Sequence, residues 1–170
     1  MSSDPVVEAL VARLAEALRA RGASMASAES CTGGLVAAAC TSLAGSSDWF
    51  ERGVVTYSNA AKTELLGVAV ELIGRHGAVS AEVAQAMAAG AVARSPAAFA
   101  VAVTGIAGPA GGSADKPVGT VWLATAARHG AAESTLLRAV GDRDAIRRSS
   151  VVRALELLLA RVEQSQAMRR

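Results

Sequence analysis

The apolar run Phe99–Val103 ends abruptly at Gly105-Ile106-Ala107-Gly108-Pro109-Ala110-Gly111-Gly112, which neither a helix nor a strand tolerates. A long glycine loop that follows a buried strand is more often a binding loop than a spacer. In open α/β sheets such loops gather at the carboxyl ends of strands, beside helix N-termini, where ligands bind. The fold has to accommodate this junction, and the flanking segments say how.

Asp4-Pro5 opens a helix whose apolar positions Val7, Leu10, Val11, Leu14 and Leu18 follow a 3.6-residue period up to Gly22. Met25–Ala28 reads as a short strand, and Leu35–Leu43 as a helix. Gly53–Tyr57 reads as a buried strand, and Ser58-Asn59 opens a short helix that carries Lys62. From Glu64 to Gly77 the pattern predicts short helical pieces separated by Gly67 and Gly74, and Ser80 caps an alanine-rich helix to about Arg94. Val118–Ala127 and Glu133–Ala139 form a hairpin around Gly130. Asp142 caps a last helix with the stripe Val152, Leu155, Leu159 and Val162, and Gln164–Arg170 is expected to fray. Helices alternating with strands, then a hairpin and a closing helix, predict one α/β domain over residues 1–170 with a mixed, mostly parallel sheet.

Composition narrows the function. The 170 residues are 52% hydrophobic and 19% charged, enough apolar material for a real core and too little charge for disorder. A net charge of +2 without a basic tract argues against a nucleic-acid partner. The uncharged stretches Ser30–Ser47 and Ser95–Ala114 are broken by Gly, Ser, Thr or Pro, so no membrane span is expected. Cys31 and Cys40 read as reduced thiols, and with charges near the N-terminus they point to a cytoplasmic protein. Of seventeen basic residues only Lys62 and Lys116 are lysines.

Three segments at strand ends carry candidate chemistry. Glu29-Ser30-Cys31-Thr32-Gly33-Gly34 links a strand to a helix, a geometry that leaves backbone N–H groups free for a phosphate or an oxyanion. The same residues also suit an ordinary turn capped by Ser30 or Thr32. Ser30 and Cys31 are both candidate nucleophiles, and a helix N-terminus would lower the thiol pKa. Thr56-Tyr57-Ser58-Asn59 is followed by Lys62. His76 and His129 lie outside all three segments, so a lysine of lowered pKa is the natural candidate base, with Tyr57 to orient it or relay a proton. The same residues also suit, and by themselves better, a solvated helix lysine and a core tyrosine. The third segment runs from Thr104 through the glycine loop to Lys116-Pro117. It matches neither a Walker loop nor a dinucleotide fingerprint. Gly141-Asp142-Arg143, with Arg147 and Arg148, places a guanidinium at a helix start, where it suits a phosphate and equally a capped helix with a solvated basic turn. No residue group has metal-ligand spacing.

Taken together, Ala28–Gly34, Trp49-Phe50-Glu51-Arg52-Gly53, Thr56–Asn59 with Lys62, Gly77-Ala78-Val79-Ser80, Gly105–Pro109 through Gly112, Lys116–Val121 and Gly141–Arg143 resemble the CinA C-terminal domain family. The resemblance implies a three-layer α/β/α sandwich, frequent homo-oligomers (dimer or higher), and no cofactor or metal. It implies hydrolysis of nicotinamide mononucleotide to nicotinate mononucleotide and ammonia, a step of pyridine-nucleotide recycling. Ser30 would be the nucleophile, assisted by Lys62 and Tyr57. The small-molecule nucleotide would be held by Thr32, Gly33, Gly34, Thr104, Gly105, Gly108, Gly111, Gly112 and Arg143. A nucleotide-binding module with a regulatory role and no turnover is the alternative. The sequence carries no counterpart of the N-terminal domain of full CinA proteins, so that domain's activities are not expected here.

Overall fold

The computed structural model describes residues 4–167, with side chains as far as Ser165. Five strands, β1 (Met25–Glu29), β2 (Phe50–Val55), β3 (Phe99–Gly105), β4 (Thr120–Ala127) and β5 (Glu133–Arg138), form one sheet in the order β2-β1-β3-β4-β5. β1 pairs in parallel with β2 and with β3, while β3–β4 and β4–β5 are antiparallel. Four of the five strands therefore share a direction, with β4 opposed, and the predicted mixed sheet stands.

Helices cover both faces. α1 (Pro5–Arg19), α2 (Leu35–Thr41) and α6 (Arg143–Ala167) pack on one, against Met25, Phe99, Val101, Val103, Val121 and Leu123. α3 (Asn59–Leu66), α4 (Val70–His76) and α5 (Ala81–Ala93) cover the other, where the strands present Ala26, Ala28, Ala100, Ala102, Ala124 and Ala126. Alternation along β3 separates the two sets, since successive side chains point to opposite faces. The alanine face brings α5 close to the sheet, and α5 supplies Ala84, Ala88 and Ala91 in return. This is a three-layer α/β/α sandwich, and among the described residues no helix is long and apolar enough to cross a membrane.

Several boundaries differ from expectation. β2 starts at Phe50 and stops at Val55, and it is not buried: it is the sheet edge, so one side has no strand neighbour. Gly74 lies inside α4 rather than breaking it. Val151 and Leu158, not Val152, join Leu155, Leu159 and Val162 in the core. α6 runs on to Ala167, past the predicted fraying point, and residues 168–170 lie outside the described residues. The caps follow prediction: Asp4 accepts from Val6 N–H, Ser58 from Ala61, Ser80 from Val83 and Asp142 from Ala145.

The chain leaves β1 for β2 through α2 on one face, and leaves β2 for β3 through α3–α5 on the other. β1 is thus the point where the winding reverses, and a crevice opens at its carboxyl end. The loops after β1, β2 and β3 all reach that edge.

Candidate active site

Ser30 follows β1 directly. Its N–H donates to Val103 O at 2.9 Å, which ties the turn to the end of β3. Its hydroxyl is 3.1 Å from Lys62 Nζ, across 32 residues of sequence. Lys62 also donates to Thr56 O at 2.8 Å, is 1% exposed, and forms no ion pair with any described carboxylate. Burial pushes the Lys62 ammonium below the ordinary lysine value, because a cation loses hydration there and gains no anion.

Why Lys62 sits there follows from α3. Ser58 caps the helix, and Lys62 and Leu66, four residues apart, share its buried face. α3 presses on α5 at Gly90, where a Cβ would fall 2.0 Å from Leu66 O. Only glycine permits that approach, and the approach carries Lys62 under the Ser30 turn.

The turn itself is held by a residue whose part sequence reasoning missed. Glu29, 1% exposed, accepts from Gly34 and Val36 N–H through Oε2, each at 3.0 Å, and from Ala37 N–H through Oε1 at 2.9 Å. Ser27 Oγ adds a fourth donor at 3.2 Å. Neither Ser30 nor Thr32 caps α2: Gly34 occupies the N-cap position at φ 99°, and the Glu29 carboxylate replaces a side-chain cap. The signal was period-2 alternation, which puts Ser27 and Glu29 on the α2 face of β1; a glutamate five residues before the N-cap Gly34 matches no standard cap pattern.

This cap corrects the expected amide cradle. Gly34 N–H is committed to Glu29 and Gly33 N–H to Ser30 O at 3.0 Å, so neither N–H is left unpaired. The N–H groups of Cys31 and Thr32 bond to no other described residue. The Thr32 and Thr56 hydroxyls are fully buried and also unpartnered. Cys31 is corrected too. Its thiol packs into the core at 7% exposure, and the loss of hydration there pushes it up to about 11. α2 does not offset this, since it starts only at Leu35 and its positive end faces Glu29.

Tyr57 is not beside Lys62. It is 61% exposed, and its hydroxyl accepts from Arg143 Nη2 at 3.0 Å. Arg143 Nη1 donates to Gly108 O at 2.7 Å, so one guanidinium joins the loops after β2 and β3. One turn along α6, Arg147 donates to Thr32 O at 3.0 Å. The start of α6 thus touches all three strand-end loops. Thr104 is 1% exposed and donates to Ala78 O at 2.8 Å, and Gly105 ends β3. Gly111 and Gly112 lie in the exposed loop, which Lys116 ties through Nζ to His76 O and Val79 O, at 2.9 and 2.8 Å. No hydrogen bond joins Gly111 or Gly112 to the Ser30–Lys62 pair among the described residues.

The opposite pole explains part of the arginine surplus. A cleft of about 720 Å³ there is lined by Arg21, Arg128 and Arg161, beside the carboxyl ends of α1 and α6. Arg128 donates to the carbonyls of Val92, Ser95 and Ala97, covering the end of α5. The Arg128 guanidinium thus satisfies backbone acceptors where a helix dipole is negative. Arg161 bonds Ala131 O in the β4–β5 turn and Glu133 at the start of β5, and Arg21 lies over the Phe99 ring at 5.6 Å. Among the described residues no group of three or more His, Cys, Asp or Glu is placed to hold a metal ion.

A buried lysine against a serine, at the winding reversal of an α/β sheet, is equipped for acyl transfer. Comparisons with known proteins agree on the kinship. The CinA C-terminal domain description matches residues 7–162. Nicotinamide-nucleotide amidohydrolase PncC of Escherichia coli K12 is 50% identical over 156 residues, which cover 92% of this chain and 94% of that protein. The protein of the same name from Pseudomonas putida is 55% identical over 157 residues, covering 92% and 96%. The crystal structure of competence/damage inducible protein CihA from Agrobacterium tumefaciens superposes with a TM-score of 0.90 at 51% identity, covering 94% of this chain and 98% of that one. Motifs, fold and relatives converge: the chain belongs to the CinA C-terminal domain family.

Proposed function

We propose that this protein hydrolyses the carboxamide of nicotinamide mononucleotide, releasing nicotinate mononucleotide and ammonia as a step of pyridine-nucleotide recycling. One observation carries the reading: Lys62 Nζ, buried and without a counter-ion, is 3.1 Å from Ser30 Oγ. The PncC relatives, named for this activity at 50–55% identity, supply the substrate class.

Neutral Lys62 takes the Ser30 proton as Oγ attacks the carboxamide carbon, while Thr56 O holds Nζ in place. The positive pyridinium already draws electrons from the amide. The oxyanion lies against the free N–H groups of Cys31 and Thr32, each well-placed donor being worth about 3–4 kcal/mol. The Lys62 ammonium returns its proton to the departing nitrogen, and ammonia leaves. Water, deprotonated by Lys62, then attacks the ester, and Ser30 recovers its proton. Tyr57 and Arg143 act at the mouth, where the ring offers a stacking surface and the guanidinium a partner for the phosphate, alongside amides of the loop after β3.

Ammonia release from nicotinamide mononucleotide tests the reading. Turnover by the parent and none by Ser30→Ala supports it. Nucleotide binding without ammonia release by the parent favours the binding-module alternative.

A further inference from the structure

We infer that Glu29 is a positioning residue for this reaction, its buried carboxylate setting the Ser30 turn and deciding which backbone N–H groups remain for the oxyanion. The inference rests on Ser30 being the nucleophile and deepens that reading.

A carboxylate that is 1% exposed needs compensation, and no described lysine or arginine pairs with it. Its compensation is entirely of donors: three N–H groups of the first turn of α2 and the Ser27 hydroxyl. Charge-assisted bonds of this kind are stronger than neutral ones, and the helix dipole adds to them. The three amide bonds tie residue 29 to residues 34, 36 and 37, so the four residues Ser30–Gly33 are a closed turn. The N–H of Ser30 is pinned to Val103 and that of Gly33 to Ser30 O, which fixes the turn from within. What remains without a partner in any other described residue is the pair of N–H groups on Cys31 and Thr32, next to the nucleophile.

The surroundings are built for this contact. At Gly53 on β2 a Cβ would lie 2.7 Å from Ala37 Cβ and 3.1 Å from Ser27 Oγ, so glycine lets α2 settle onto the carboxylate. All four groups around Glu29 donate, so a glutamine amide would turn an N–H toward another donor. Aspartate is one methylene short of the helix start. Only glutamate serves both geometry and charge.

The test uses Glu29→Gln and, as a gentler variant that keeps the carboxylate, Ser27→Ala. Active sites are titrated to completion with a sulfonyl fluoride directed at serine, so that kcat is expressed per competent site. The expected result for Glu29→Gln is a ten- to hundred-fold loss of kcat per titrated site, about the loss of one charge-assisted bond at the turn. KM should stay within about twofold, and the pH midpoint of kcat should be unchanged, since Lys62 is not touched. Ser27→Ala should lose about threefold in the same sense. A purely structural role would lower the titre or the melting temperature and leave kcat per site at the parent value, which overturns the inference. So would a loss carried by KM. If Glu29→Gln does not fold, Ser27→Ala decides alone: an unchanged kcat per site overturns the inference. Activity in Ser30→Ala would instead overturn the underlying reading.

Discussion

Tyr57 and Lys62 are five residues apart on the segment that leaves β2, yet Tyr57 is 61% exposed and Lys62 is 1% exposed. They belong to two differently built halves of one site. In the floor Glu29 and Lys62 are buried and Ser30 is half-buried, each has a fixed hydrogen-bond partner, and burial lowers the Lys62 pKa. The rim, Tyr57, Gly108 and Arg143, is held by hydrogen bonds at the surface that water can replace. Desolvation is the difference: a group in the floor has no water to fall back on, so changing it costs far more than changing a group in the rim. The proposed chemistry falls in the first region and the proposed recognition in the second.

The sharpest test of that division is Ser30→Ala, expected to lower kcat at least about 10³-fold with folding and nucleotide binding intact. Cys31→Ala should keep substantial activity, because its thiol, pushed up to about 11, is protonated at neutral pH. Ammonia release and an equilibrium binding measurement on both variants check this; a dead cysteine variant with an active serine variant reverses the assignment.

Next comes the base. Lys62→Arg and Lys62→Ala should be similarly damaging, about 10²–10⁴-fold, since arginine keeps the charge but does not deprotonate. In the parent, kcat should rise with pH through one apparent pKa below the ordinary lysine value of 10.5. Stability has a matching sign. Between the lowered value in the folded state and 10.5, the unfolded chain holds a proton that the folded chain does not, so stability rises with pH there. Lys62→Met should flatten that part of a denaturant-midpoint curve. An arginine variant of near-normal rate would show that Lys62 acts only as a cation.

A third change attacks the floor from behind. Gly90→Ala puts a methyl group against Leu66 O, so α3 must shift and carry Lys62 with it. A displacement approaching 1 Å at the reacting groups costs about 10²-fold in kcat, and overpacking should cost about 1–3 kcal/mol of stability. Rate assays well below the melting temperature separate the two.

The rim should respond less, and selectively. Arg143→Ala is expected to lower kcat/KM for the mononucleotide about ten- to hundred-fold and to leave nicotinamide riboside almost unchanged, since only the former has a phosphate. An equal loss on both would assign Arg143 to fold or chemistry. Tyr57→Phe keeps the ring and removes only the acceptor for Arg143, so a loss of about twofold to tenfold is expected on the mononucleotide. A loss as large as that of Lys62→Ala would move Tyr57 from the rim to the floor.

Elements and caps were legible along the chain because they obey local rules. Asp4, Ser58, Ser80 and Asp142 each bond a backbone N–H two or three residues away, and apolar periodicity repeats within a few residues. The same locality explains the misses. Val54 and Val55 look like a buried strand by composition, but β2 is an edge because β1 takes β3 as its other neighbour, a pairing set far away in sequence. Tyr57 reads as the last residue of that buried strand, yet β2 stops at Val55 and Tyr57 is exposed to solvent.

The sequence by itself determined the alternation of helices and strands, the positions of the turns and the polar residues offered at three strand ends. The tertiary structure alone decided which of those residues meet. Ser30 and Lys62 are joined across 32 residues, and Tyr57 and Arg143 across 86, through a strand order and a helix contact at Gly90 that no local rule contains. It also decided the chemical state of each. A lysine gives up its ordinary pKa, a thiol becomes inert and a glutamate turns into a helix cap only once packing has removed the water around them.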